Sequence, residues 1–171
     1  MFQVGDQVVY GIHGVCRILR EEERSVDRKK IEYFALEPLD QKVAQYFVPS
    51  ENPGALAKLR HLISREDLDS LLASNVIREN CWITDENHRK QRYRELINSS
   101  DRVALLRMIH TLHHHKKVQM DAGRKLHLCD ENFMRDAEKL LNAEFSLVLN
   151  IAPNEVEGYI LSAFDQSTSN S

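Results

Sequence analysis

The sequence predicts an α+β protein: a small SH3-like β-barrel followed by an all-α helical domain. Three observations carry this reading. The first fifty residues hold short runs of Val, Ile, Tyr and Phe separated by Gly, Asp and charged turns. From Ser64 onward the apolar residues recur at spacings of three and four. The 171 residues are 42% apolar and 29% charged, a globular composition in a length that holds one ordinary domain or two small ones.

Four or five strands are expected in the first fifty residues, with runs at Gln7–Tyr10, Gly14–Leu19, Ile31–Leu36 and Val43–Val48. Gly5-Asp6 and Gly11-Ile12-His13-Gly14 supply tight turns, and the charged run Glu21–Lys30 and Pro38-Leu39-Asp40 read as hairpin connections. Strands this short in so small a unit favour a curled barrel over a flat sheet with long unpaired edges. Pro49 closes the last of them. The first domain is therefore placed at 1–55, with the connection to the second inside 50–63 and the linker proper at 56–63.

Ser64 is the expected N-cap of a helix over Arg65–Ala73, where Leu68, Leu71 and Leu72 share a face. Thr84 or Asp85 caps a second helix ending near Asn98, and Ser99-Ser100-Asp101 stops it and caps a third that reaches about Met120. A fourth, Leu128–Asn150, carries Phe133, Ala137, Leu140, Leu141, Phe145 and Val148 as one apolar stripe that requires helical partners. Pro153 suits the first turn of a last helix to Phe164. The helical domain is placed at 64–165 and a frayed polar tail at 166–171.

Composition also narrows the function. Apolar stretches such as Phe145–Leu149 are far short of the roughly 20 residues of a membrane span, so no membrane association is expected and the location is taken as cytoplasmic. Cys16, Cys81 and Cys129 form neither a CxxC pair nor an even set, which suggests reduced thiols. The net charge of −3 disfavours a free-standing nucleic-acid binder, but residues 89–125 hold 10 basic against 3 acidic side chains and are flanked by acidic stretches. P-loop, GxGxxG, GxSxG and HExxH signatures are absent from the sequence, so neither catalysis, nor a cofactor, nor a small-molecule substrate is expected. The run His110, His113, His114 and His115 is the best metal candidate, with His110 and His114, at i and i+4, facing the same way for chelation. A third ligand is not visible, and histidines beside Lys116 and Lys117 read as a solvated or phosphate-facing surface, so no metal is expected there.

Trp82, the sole tryptophan, lies between two helices rather than on an apolar stripe. It suits either a core anchor or an exposed wedge that stacks on bases of opened DNA. Arg89, Lys90, Arg92 and Arg94 follow it within two turns, with Tyr93, Leu96 and Ile97 as the inward set. Lys116, Lys117, Arg124 and Lys125 cluster around the end of the third helix, which a folded-back hairpin brings near Trp82.

Phe2-Gln3-Val4-Gly5-Asp6-Gln7-Val8-Val9-Tyr10, His13-Gly14-Val15, Tyr33 in a strand and Val48-Pro49-Ser50-Glu51-Asn52 together resemble the CarD family of bacterial transcription regulators. The resemblance extends over residues 1–164, with Trp82, the Ser99-Ser100-Asp101 break and the long fourth helix in the expected places. It implies a Tudor-like N-terminal domain, shared with transcription-repair coupling factors, that binds the β subunit of RNA polymerase. It also implies a helical domain that meets promoter DNA at the upstream edge of the transcription bubble, so that the protein associates with the nucleoid through polymerase. Trp82 matches the tryptophan that wedges at the minor groove in such proteins. Arg24 aligns with a polymerase-contacting cation, and Tyr46, Phe47, Val48 and Pro49 lie on the strand expected at that interface. Some members carry an arginine where this chain has Phe47, which implies a more apolar contact. The interval from Trp82 to Asp101 exceeds that of some members by about one helical turn. The function implied is stabilisation of the promoter open complex; the alternative is an adaptor on polymerase or a repair factor without DNA contact.

Overall fold

The computed structural model describes residues 1–166, which form two compact units dividing between Leu62 and Ile63. The fold class is α+β. In the first unit the strands β1 (Gln7–Tyr10), β2 (Val15–Val26), β3 (Lys29–Pro38), β4 (Tyr46–Pro49) and β5 (Leu59–His61) make one antiparallel sheet in the order β4-β3-β2-β1-β5. A one-turn helix, α1 (Pro53–Leu56), precedes β5, its start capped by Asn52 Oδ1 accepting from the Ala55 amide. The stretch expected as a linker at 56–63 thus supplies the fifth strand, which pairs with β1 through Val8, Val9 and Tyr10. Three residues with one apolar side chain, Leu59, are too few to carry a strand signature.

The charged run Glu21–Lys30 is also not a loop. β2 and β3 continue through it as a long hairpin paired from Cys16↔Pro38 to Val26↔Lys29. Only Asp27 and Arg28 turn the chain, and both have positive φ, as a two-residue type I′ hairpin turn requires. A register shift between Ile18 and Arg20 sets the character of this hairpin. Cys16 and Ile18 point into the core, and strict alternation sends Arg20, Glu22 and Arg24 after them. The bulge at Leu19 instead pairs Arg20 with Ala35, placing Arg20, Glu22 and Arg24 on the opposite face. Val8, Cys16, Ile18, Phe34, Leu36, Val48 and Leu59, contributed by all five strands, form the core. Burial there pushes the Cys16 thiol up to about 12, leaving it protonated and inert.

The second unit contains α2 (Arg65–Ala73), a 3-10 turn (Asn75–Arg78), α3 (Glu86–Ser99), α4 (Arg102–Asp121), α5 (Leu128–Leu149) and α6 (Pro153–Gln166). The caps lie where the sequence places them: Ser64 Oγ accepts from the Asp67 amide, Asp85 from His88 and Asp101 from Ala104. Ser100 adopts the left-handed conformation that lets α3 stop and α4 start within two residues. Leu105, Leu106, Met108, Ile109 and Leu112 of α4 pack with Ala137, Leu141 and Phe145 of α5 and Val156 and Ile160 of α6 in the main core. Gln166 closes α6, and the rest of the tail expected at 166–171 lies outside the described residues.

Arg28 holds φ near 66°, where a β-carbon is strained, so Arg28→Gly is expected to stabilise the first unit by about 0.5–1 kcal/mol. Denaturant titration of the variant against the parent chain measures the shift.

Candidate functional surfaces

In the first unit, the outer face of β2, β3 and β4 gathers Arg20, Glu22, Arg24, Tyr33, Phe47 and Pro49. Arg24 lays its guanidinium over the Phe47 ring, 3.6 Å from the centroid. Glu22 accepts from Arg20 at 2.8 Å and from Arg24 at 2.5 Å. The hydrogen bond from Arg24, reinforced by Arg20, holds the Glu22 carboxyl below its usual range. Of the residues expected at a polymerase contact, Arg24, Phe47 and Pro49 lie on this face. Tyr46 and Val48 do not, because the pleat turns them inward: Val48 is 2% exposed, and Tyr46 packs against the core and the rings of Tyr10 and His13. Arg20, Glu22 and Tyr33 escape sequence reading because nothing in the residue types announces the bulge that aligns them.

In the second unit, Trp82 belongs to the non-helical segment between the 3-10 turn and α3. Thr111 Oγ1 of α4 accepts the Cys81 amide at 3.1 Å. Arg89 of α3 donates to the Ile83 carbonyl at 3.0 Å. The segment is therefore tied on both sides of the indole. Trp82 stacks on His115 of α4, with ring centroids 3.7 Å apart and 18° between planes. The Arg89 guanidinium lies 4.3 Å from the Trp82 ring centroid. The indole is half-buried against the helical core, so part of its surface is anchored and part is open.

Arg89 was expected among solvent-facing cations, but it is 3% exposed and bidentate on Asp130 of α5, at 2.9 and 3.0 Å. Burial alone depresses the guanidinium pKa; the hydrogen bonds and charge of Asp130 outweigh that and leave it raised. The correction follows from the helical period, because Arg89 shares the inward face with Tyr93. Lys90 and Arg94 follow one another at i, i+4 on an adjoining flank of α3, with Lys90 paired to Glu86 at 2.6 Å. Arg92 lies roughly 160° around the helix from Lys90 and pairs with Glu95. Lys116 approaches Glu131 at 4.0 Å, and Lys117, Arg124 and Lys125 are exposed around the α4–α5 connection. His110 and His114 do not converge as ligands: the His110 ring packs edge-on against Phe164 with Nδ1 buried and unpartnered, and His114 is exposed.

Residues 2–63 match the family model of the CarD-like/TRCF RID domain. The match covers the first unit and leaves the helical unit outside it. No curated protein matches the chain. The first unit is thus similar to the CarD-like/TRCF RID domain, a protein-interaction domain. Among the described residues no helix is long and apolar enough to cross a membrane.

Removing Asp130 strands a buried guanidinium, so Asp130→Ala is expected to cost about 3–5 kcal/mol in the helical unit. The same variant is expected to red-shift Trp82 emission as the clamp loosens. Burial, followed by neighbouring cationic and imidazole groups, holds His110 and His115 below their ordinary 6.5. Asp130 opposes the shift at His115, while Arg89, His114 and His127 add to it. With folded-state values depressed, both rings contribute stability above pH 6.5 that is lost as pH falls through the folded values. Denaturant midpoints measured at neutral and mildly acidic pH are expected to show a smaller acid loss for His115→Gln than for the parent chain.

Proposed function

We propose that this chain, with a CarD-like/TRCF RID domain as its first unit, is a transcription regulator that binds the β subunit of RNA polymerase and stabilises the promoter open complex. The match over residues 2–63 is the observation that carries the proposal. The docking face is the β2–β3–β4 surface, where Phe47 and Tyr33 supply apolar area and Arg24 supplies direction. Because Glu22 neutralises part of the Arg20 and Arg24 charge, the contact is expected to depend weakly on salt.

The helical unit contacts DNA at the upstream edge of the bubble through Trp82, flanked by Lys90, Arg94, Lys116, Lys117, Arg124 and Lys125. Arg89 is a positioning residue in this scheme, holding the indole rather than touching phosphate. A rigid, half-open aromatic beside cations suits a distorted or part-melted step, where unstacked bases leave a place for it. Neither contact has to be strong. Tethering to polymerase raises the effective concentration of the helical unit at the promoter, while the chain's net charge of −3 limits binding elsewhere. Each 1.4 kcal/mol of preference for open DNA shifts the closed-to-open balance about tenfold. The packing of Trp82 against the helical core also suits the adaptor reading, in which polymerase is bound and DNA is not.

Open-complex lifetime with purified polymerase separates the two. Trp82→Ala is expected to retain polymerase binding and lose about tenfold or more of the lifetime extension, whereas Phe47→Ala with Arg24→Ala is expected to lose both. An unchanged lifetime with Trp82→Ala would establish the adaptor instead.

A further inference from the structure

A second cluster of ligating side chains, separate from Trp82, joins α4, α5 and α6. His113 Nε2 lies 2.8 Å from Glu138 Oε1, and Glu157 of α6 brings a carboxylate to the same point, so that one donor atom from each residue falls within 4.8 Å of the other two. Glu138 and Glu157 have no lysine or arginine partner among the described residues. Two carboxylates converge on a single imidazole, an arrangement whose mutual repulsion a bound cation relieves. We propose that His113, Glu138 and Glu157 form a binding site for a divalent transition-metal ion, zinc above all, that ties the last helix to the α4–α5 pair. This goes beyond the transcriptional reading and does not depend on it.

The donor set selects the ion. One imidazole nitrogen with two carboxylate oxygens suits zinc, whereas magnesium and calcium prefer all-oxygen shells. Ligand bonds of about 2.0–2.2 Å set tetrahedral donors roughly 3.4 Å apart, so the His113–Glu138 pair must open from its 2.8 Å hydrogen bond to admit the ion, while the exposed Glu157 side chain can adjust its place in the cluster by changing rotamer. The imidazole must present an unprotonated Nε2 to the ion, which replaces its hydrogen bond to Glu138. Three protein ligands leave a fourth tetrahedral position for water on the open side of Glu157. His113 and His115 project from α4 roughly 160° apart, so metal loading leaves the Trp82 stack untouched. The imidazole pair that stands out in the sequence, His110 and His114, has no comparable convergence with carboxylates among the described residues.

Calorimetric titration of the chelator-treated full chain with zinc chloride, and separately with magnesium chloride, tests the site. One zinc per chain is expected, with no stoichiometric magnesium uptake. His113→Gln and Glu157→Gln are each expected to weaken zinc binding by at least about tenfold, and His114→Gln to leave it unchanged. Glu157 is exposed, so its variant should retain the parent helical circular dichroism and separate ligand loss from misfolding. Zinc affinity unchanged in Glu157→Gln or His113→Gln, or weakened equally in His114→Gln, would show only adventitious binding to surface histidines and overturn the proposal.

Discussion

The buried ion pair between Arg89 and Asp130 holds three elements of the helical unit in one arrangement. Its guanidinium meets the carboxylate with two hydrogen bonds, caps the Ile83 carbonyl and faces the Trp82 ring. Arginine is suited to this place because a planar fork satisfies a carboxylate bidentately while its face remains free for an aromatic partner. A lysine presents one point charge and can do neither. The pair is no simple source of net stability, since desolvating two ions offsets much of their attraction. What it supplies is position: the loop bearing Trp82 cannot shift without uncovering a buried charge.

Trp82 therefore differs from both simple pictures of a lone tryptophan. A core anchor is fully enclosed, and a free wedge samples rotamers whose ordering on contact costs binding energy. Here His115 and Arg89 hold the indole in advance, and the Cys81 amide fixes the backbone beside it. Preorganisation of this kind is what a weak tethered contact needs, because little ordering is left for the moment of engagement. On the first unit the same economy appears in another form, where Arg24 is held over Phe47 and Glu22 links it to Arg20.

The helical caps at Ser64, Asp85 and Asp101, the α2 boundaries and the apolar stripe of α5 were legible because each depends on residues within a few positions of one another. The opening nonapeptide and the Val48–Asn52 run likewise pointed to the first domain, in agreement with the match over residues 2–63. Strand β5 was not legible, because its place is set by pairing with β1 some fifty residues earlier and not by any apolar pattern of its own. The extent of the β2–β3 hairpin was hidden for the same reason: cross-strand hydrogen bonds, indifferent to side-chain charge, carry it through Glu21–Glu23 and Lys29–Lys30.

By itself, then, the sequence determined the fold class, the boundaries of α2 to α6 to within about two residues, the resemblance of the first unit to the CarD-like/TRCF RID domain and the candidates Trp82, Arg24 and Phe47. Only the tertiary structure decided which cations are free. It placed Arg89 on Asp130, 41 residues away, divided Lys90 and Arg94 from Arg92, turned Val48 inward and brought His113, Glu138 and Glu157 together from three helices. The physical reason is one of range. Helical periodicity and capping act over a few residues and leave a trace in the local string, whereas a buried charge finds its partner through packing, and a single bulge at Leu19 reverses the facing of every residue beyond it.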